Sequence, residues 1–269
     1  MYRILVFVIA IFFPGYLSAE VITEEQGDAN YSELLDRDST QNEYRPYGLV
    51  RVSWFKSSEP ETAIISTAGN PSLGNPNAPV TMVMFTDYQC RFAQKFHFRA
   101  YKYLKAHYID TGKLRFVLRD LPLNIHQDAK PAAVAAHCAG EQGKFWEMHD
   151  TLIKNKGKLS QDDILGYAKS NDLESVSFKS CLISGRYDKD IDQDIADARN
   201  AGINGTPGFV VARTTDNLVL GTILRGNKSF YTFKNEIDRL LLTPVGQIPV
   251  KPPATLGRQL PLVKGNNIL

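Results

Sequence analysis

Val80-Thr81-Met82-Val83-Met84-Phe85-Thr86-Asp87-Tyr88-Gln89-Cys90-Arg91-Phe92-Ala93, residues 80–93, decides the reading of the fold. Val80 to Thr86 is a short apolar run of the right length for a buried strand. From Cys90 the period changes. Phe92, Phe96, Ala100, Tyr103 and Leu104 recur at helical spacing through about Tyr108. Thr111-Gly112-Lys113 ends that helix, and Leu114 to Leu118 reads as a second strand. A strand–helix–strand unit implies a parallel pair joined by a right-handed crossover.

Downstream the period stays helical. Asp128 to Ala139 is alanine-rich, and Lys144 to Asn155, Ser160 to Asn171, Leu173 to Ile183 and Tyr187 to Asn200 follow as further helices. Ser160 with Asp163 approximates a capping box. Phe209 to Ala212 and Leu218 to Leu224 pair as an antiparallel hairpin, and a last helix runs from Ser229 to Leu242. The order is βαβ, a helical block, then ββα. Upstream, Gly69 to Pro79 is a turn-rich link. Residues 20 to about 60 hold nine acidic and four basic residues with few aliphatic runs, the composition of a poorly ordered arm. Short strands are expected at Leu49 to Phe55 and Thr62 to Ser66. Residues 243–269 hold five prolines and three basic residues with no acid, which suits an extended tail.

The N-terminus has the form of a secretory signal: Arg3, an apolar run from Ile4 to Phe13, a break at Pro14-Gly15, and Leu17-Ser18-Ala19 as the cleavage site. The apolar run is short for a membrane span, so none is expected after cleavage. The expected location is the periplasm, with secretion or an uncleaved signal anchor as the alternatives; in each the folded part lies where disulfides persist. The division is then a signal peptide at 1–19, an arm at 20–73, a folded domain at 74–242 and a tail at 243–269. A net charge of +2 gives no reason to expect nucleic acid or an anionic membrane as partner.

Three cysteines are present, Cys90, Cys138 and Cys181, so in an exported protein at least one thiol is free or paired to another molecule. No two are close enough in sequence for a paired-CxxC zinc site. His97, His107, His126, His137 and His149 form no ligand motif, so neither a metal nor another cofactor is expected. Cys90 sits at a strand end and a helix start. Unpaired backbone N–H groups and the helix dipole favour thiolate there, and Arg91 adds a cation. Cys90 is therefore expected to be reactive, acidic and partly exposed.

The segment Phe85 to Ala93 resembles the active-site segment of DsbA-type thiol–disulfide oxidoreductases. The likeness continues at Gly74-Asn75-Pro76 with Ala78-Pro79-Val80, at Arg119 to Leu123 with His126 following, at Cys138 to Asp150, and at Gly205-Thr206-Pro207-Gly208-Phe209. It covers residues 74 to about 242. It implies an α/β, thioredoxin-like fold with an inserted helical domain at about 126–202. It makes Thr206-Pro207 the cis-proline loop facing the cysteine, with the Thr206 backbone set to pair with a bound peptide. It places Cys90 as the catalytic thiol and Arg91, Phe92, Thr206 and Pro207 as substrate-binding residues, with His126 near the active face. It also implies a structural Cys138–Cys181 disulfide; two buried free thiols are the alternative.

Two departures stand out. The family's second cysteine falls at Ala93, and its buried carboxylate falls at Met84. A second thiol releases a mixed disulfide by intramolecular attack, and Ala93 cannot. The expected function is thus monothiol exchange with cysteine-containing proteins or peptides, glutathione or a redox partner. The rivals are a non-catalytic peptide binder or chaperone on this scaffold, and a Cys→Ala trap of a two-thiol enzyme.

Overall fold

The computed structural model describes the backbone of residues 7–13 and 16–22 and the full residues 61–215 and 217–243. The chain divides into two units, Met1–Glu59 and Pro60–Leu269. In the first, strands β1 (Phe7–Phe13) and β2 (Tyr16–Ile22) pair antiparallel, with Phe7 opposite Ile22. The expected strand at Leu49 to Phe55 and the Pro-rich tail past residue 243 lie outside the described residues.

The second unit is built on a six-stranded mixed sheet. Its strands are β3 (Thr62–Ser66), β4 (Ser72–Leu73), β5 (Val80–Thr86), β6 (Leu114–Asp120), β7 (Gly208–Arg213) and β8 (Leu218–Arg225). Their order across the sheet is β3-β8-β7-β5-β6-β4. β5 pairs parallel with β6 and antiparallel with β7, so it is central, and every residue in it is buried. A strand covered on both faces reads as a continuous apolar run because both alternating sets of side chains enter a core. Met82 and Met84 join the larger core with Phe116, Leu118 and Phe209. Val83 and Phe85 join a second core with Val117, Val210, Ile65 and Ala198. The sheet also reaches into the segment read as an arm. β3 pairs with β8, and β4, within the turn-rich link, pairs with β6.

The helix after Cys90 is continuous but not uniform. α1 (Arg91–Phe96) passes into a π-helical stretch at His97–Tyr101, then α2 (Lys102–Leu104), then a second π stretch at Lys105–Ile109. Each π turn shifts the phase of the buried stripe. Ala93, Phe96 and Ala100 lead to Tyr101, Leu104 and Tyr108 as the buried side chains. Phe92 and Tyr103, which fit a uniform helical stripe, are 42% and 46% exposed.

The inserted block comprises α3 (Ala129–Gly140), α4 (Phe145–Lys154), α5 (Gln161–Ser170), α6 (Ser175–Ile183) and α7 (Asp188–Asn200). Ser160 and Asp163 form a reciprocal capping box on α5. Cys138 on α3 and Cys181 on α6 are joined by a disulfide with Cα atoms 5.7 Å apart. α8 (Phe230–Leu242) closes the fold, burying Phe233, Ile237 and Leu240.

Candidate functional site

Cys90 follows the C-terminal end of β5 and is the N-cap of α1, with extended backbone and no side-chain cap bond. Asp87 organises the turn that carries it. Its Oδ1 accepts hydrogen bonds from the N–H groups of Gln89 at 2.7 Å and Cys90 at 3.1 Å. Its Oδ2 accepts from the N–H of Leu123 at 2.8 Å and lies 2.8 Å from His126 Nδ1. A buried carboxylate is tolerable when its lone pairs are filled in this way. Gln89 adds a reciprocal clasp: its amide donates to Asp128 Oδ2 at 3.0 Å and accepts from the Asp128 N–H at 2.7 Å. The cysteine turn is thereby fastened to the start of α3.

Cys90 is buried, at 4% exposure, where the sequence suggested partial exposure. The cause is the loop opposite. Its Sγ donates to the Thr206 carbonyl at 3.3 Å, and the Thr206-Pro207 peptide is cis. The Thr206 carbonyl, expected to be available to a peptide strand, therefore holds the thiol, while Thr206 Oγ1 is buried without a partner among the described residues. Gly208 lets the loop pass tightly, since a Cβ there would fall 2.3 Å from Ile203 Cγ2.

The remaining predicted residues divide by exposure. Ala93 and Met84 are buried beneath the cysteine in the same core. Arg91 and Phe92 are exposed, with the guanidinium carbon 4.7 Å from the Phe92 ring centre. Cys138 and Cys181 are occupied in their disulfide, which leaves Cys90 as the free thiol. His126 does reach the turn, through Asp87.

Beneath Ala93 lie groups that no local pattern announced. Tyr88 OH is 3.1 Å from His149 Nδ1, both residues being buried. Burial, with the charges of His97 and Lys154 behind it, pushes the His149 pKa down to about 3. Burial likewise holds His97 low against the pull of Asp150. Burial, then Asp120 and Asp150, raises Tyr88 well above the ordinary tyrosine value. At neutral pH this pocket is uncharged at both imidazoles and the phenol.

A family model described as thioredoxin matches residues 66–219, more than half of the chain. The crystal structure of α-DsbA1 from Wolbachia pipientis aligns with a TM-score of 0.57 and 24% identity, covering 64% of this chain and 91% of that one. This chain belongs to the thioredoxin family. Among curated relatives, the chain is 38% identical over 139 residues to the Na(+)/H(+) antiporter NhaA 1 of Salinispora arenicola, covering 51% of this chain and 21% of the antiporter. It thus spans about a fifth of the length of that relative. A Bacillus cereus protein named "Probable disulfide bond formation protein D" is 27% identical over 179 residues, covering 63% of this chain and 78% of that protein. The thioredoxin-family sheet, its cis-proline loop and its inserted helices set Cys90 where strand, helix and loop meet.

Asp87 was visible in sequence only as part of the motif. Its spacing before Cys90 fits an Asx-type turn in which a carboxylate caps N–H groups two and three residues on. Tyr88 and His149 lie 61 residues apart, and nothing local links them.

Proposed function

We propose that the chain is an exported thiol–disulfide exchange protein that works through Cys90 as a single thiol. The observation that carries this reading is the free Cys90 thiol 3.3 Å from the carbonyl of the cis-proline loop, with Ala93 in place of a second thiol. The Cys90 thiolate attacks one sulfur of a substrate disulfide. The Cys90–substrate disulfide forms, and the other substrate sulfur leaves as thiolate. An outside thiol of the glutathione kind then attacks the Cys90 sulfur, the second substrate sulfur leaves as thiolate, and Cys90 is left in a disulfide with the outside thiol. A second such thiol attacks that outer sulfur, which releases the Cys90 thiolate and the disulfide of the two outside thiols. Arg91, Phe92, Thr206 and Pro207 frame the approach of a cysteine-containing peptide. Export to the periplasm is supported by the signal-like N-terminus and by the Cys138–Cys181 bridge, since disulfides persist in oxidising compartments.

The burial of Cys90 favours a second reading, a peptide binder in which the cysteine is structural. The Ala93→Cys variant separates the two. A thiol one helical turn from Cys90 resolves a mixed disulfide intramolecularly, at high effective concentration. Under monothiol exchange, the native chain accumulates a mixed disulfide with a disulfide-bonded peptide, seen by mass spectrometry, and Ala93→Cys turns over faster in an insulin-reduction assay. No mixed disulfide, no gain from Ala93→Cys, and peptide affinity unchanged in Cys90→Ser would together establish the binder.

A further inference from the structure

We propose that His97, His149 and Asp150 form a binding site for one divalent transition-metal ion of the zinc type. The three residues each present one ligand atom, and these atoms all lie within 4.8 Å of one another. His97 Nε2 is 3.7 Å from Asp150 Oδ1, and the two imidazole rings are 5.8 Å apart at their centres. His149 and Asp150 are neighbours on α4, while His97 opens the first π stretch of the helix that Cys90 starts. An ion held there ties the cysteine-bearing helix to the inserted helices.

The donor set selects the ion. Two imidazoles and one carboxylate suit zinc and its borderline neighbours, whereas calcium and magnesium favour all-oxygen sites. Metal–ligand bonds of about 2.0–2.2 Å put tetrahedral ligand atoms roughly 3.3 Å apart. The His97–Asp150 pair is already near that spacing. Asp150, whose side chain is 43% exposed, can rotate to close the rest. His149 is held from behind by the Tyr88 hydroxyl at 3.1 Å, the kind of outer hydrogen bond that orients a ligating imidazole. A solvent-open hollow of about 290 Å³, lined by His97, Tyr101, Lys102, Lys105, Asp150 and Lys154, opens onto His97 and Asp150, while His149 is buried. Lys154 is the competitor, with Nζ 3.5 Å from Asp150 Oδ2. Its side chain is half exposed, so the ion displaces it into water.

The test is a titration of the full chain, stripped with a chelator, with Zn²⁺ by calorimetry and with Co²⁺ by absorption. The expected result is one ion per chain, with visible cobalt d–d bands and no thiolate-to-cobalt charge-transfer band. His97→Gln and Asp150→Asn each weaken zinc binding by about tenfold or more, as expected for loss of a ligand, while Cys90→Ser leaves it unchanged. Circular dichroism checks that the variants are folded; Asp150→Asn, at the surface, carries the test if His97→Gln is not. The proposal is overturned if no stoichiometric ion binds, if folded Asp150→Asn binds zinc as the native chain does, or if binding is lost in Cys90→Ser. These outcomes are independent of thiol exchange, so the site and the exchange reading fail separately.

Discussion

Asp87 holds more of the cysteine turn in place than any residue with a reactive atom. One buried carboxylate meets three backbone N–H groups and the His126 ring, so its removal orphans several buried partners at once. Breaking a buried charge network by deleting one member costs about 3–5 kcal/mol. Asp87→Ala is expected to fall in that range in urea unfolding. Asp87→Asn, which keeps one accepting oxygen, should lose less. An Asp87→Ala loss under about 1 kcal/mol would show that water or loop movement replaces the carboxylate. At this scale the sequence was informative wherever chemistry and local spacing coincide, as at Cys90, Ala93 and Thr206-Pro207. It was silent where two distant segments meet. Neither the Gln89–Asp128 clasp nor the Tyr88–His149 contact has a local signature. The burial of Cys90 was misjudged for the same reason, because what covers it arrives from residue 206.

Among the elements, β5 and its crossover were legible because a doubly buried strand and a helix have unlike periods. The helix itself was less so. Two π stretches rotate its buried face, and a pattern counted at 3.6 residues per turn then places Tyr103 on the wrong side, whereas Phe92, ahead of both stretches, lies beside the buried Ala93–Phe96 stripe. β4 is two residues long and lies among turn formers, so its pairing with β6 is a tertiary fact without a sequence pattern. The inserted helices depend on a covalent link as well as packing. The Cys138–Cys181 bridge joins α3 to α6 across a sequence separation of 43. Closing a loop of that size is worth about 4 kcal/mol in the chain-entropy description. The double variant Cys138→Ala with Cys181→Ala is expected to unfold at markedly lower urea and to lose stability of that order. Non-reducing peptide mapping of the native chain should recover the bridged peptides; free alkylatable thiols at both positions in oxidised protein would refute the link.

Across the whole unit, a buried charged cluster joins the sheet to the inserted helices. Arg119, near the end of β6, donates to Asp194 on α7 at 2.7 Å from Nε and to Asp197 at 2.7 Å from Nη2, and reaches the Ser66 carbonyl of β3. The neighbouring Asp120 has its N–H on Asp194 Oδ2 and its carboxylate 2.8 Å from His137 Nε2 on α3. Burial first, then the Asp120 charge, pushes the Asp194 pKa up to about 6 against the pull of Arg119. Burial opposes the charging of His137, but the hydrogen bond and charge of Asp120 outweigh it, and its pKa is raised from 6.5. Both shifts have one consequence. The folded state binds more protons than the unfolded one, from pH 3.8 to about 6 through Asp194 and from 6.5 upward through His137. Stability from this cluster is therefore present in acid and is lost as pH rises through those windows. His149, with its pKa lowered to about 3, acts in the opposite sense, so the effect is read as a difference between two proteins that both contain it. In Asp120→Asn the charge that raises both groups is gone. The stability advantage of the native chain over this variant, from urea unfolding in a chelating buffer, should shrink between pH 4 and pH 8 by about 1–3 kcal/mol. The His137 imidazole resonance should titrate above 6.5 in the native chain and at lower pH in the variant. A difference that is flat or grows with pH would mean that Asp120 acts on the fold through its hydrogen bonds alone.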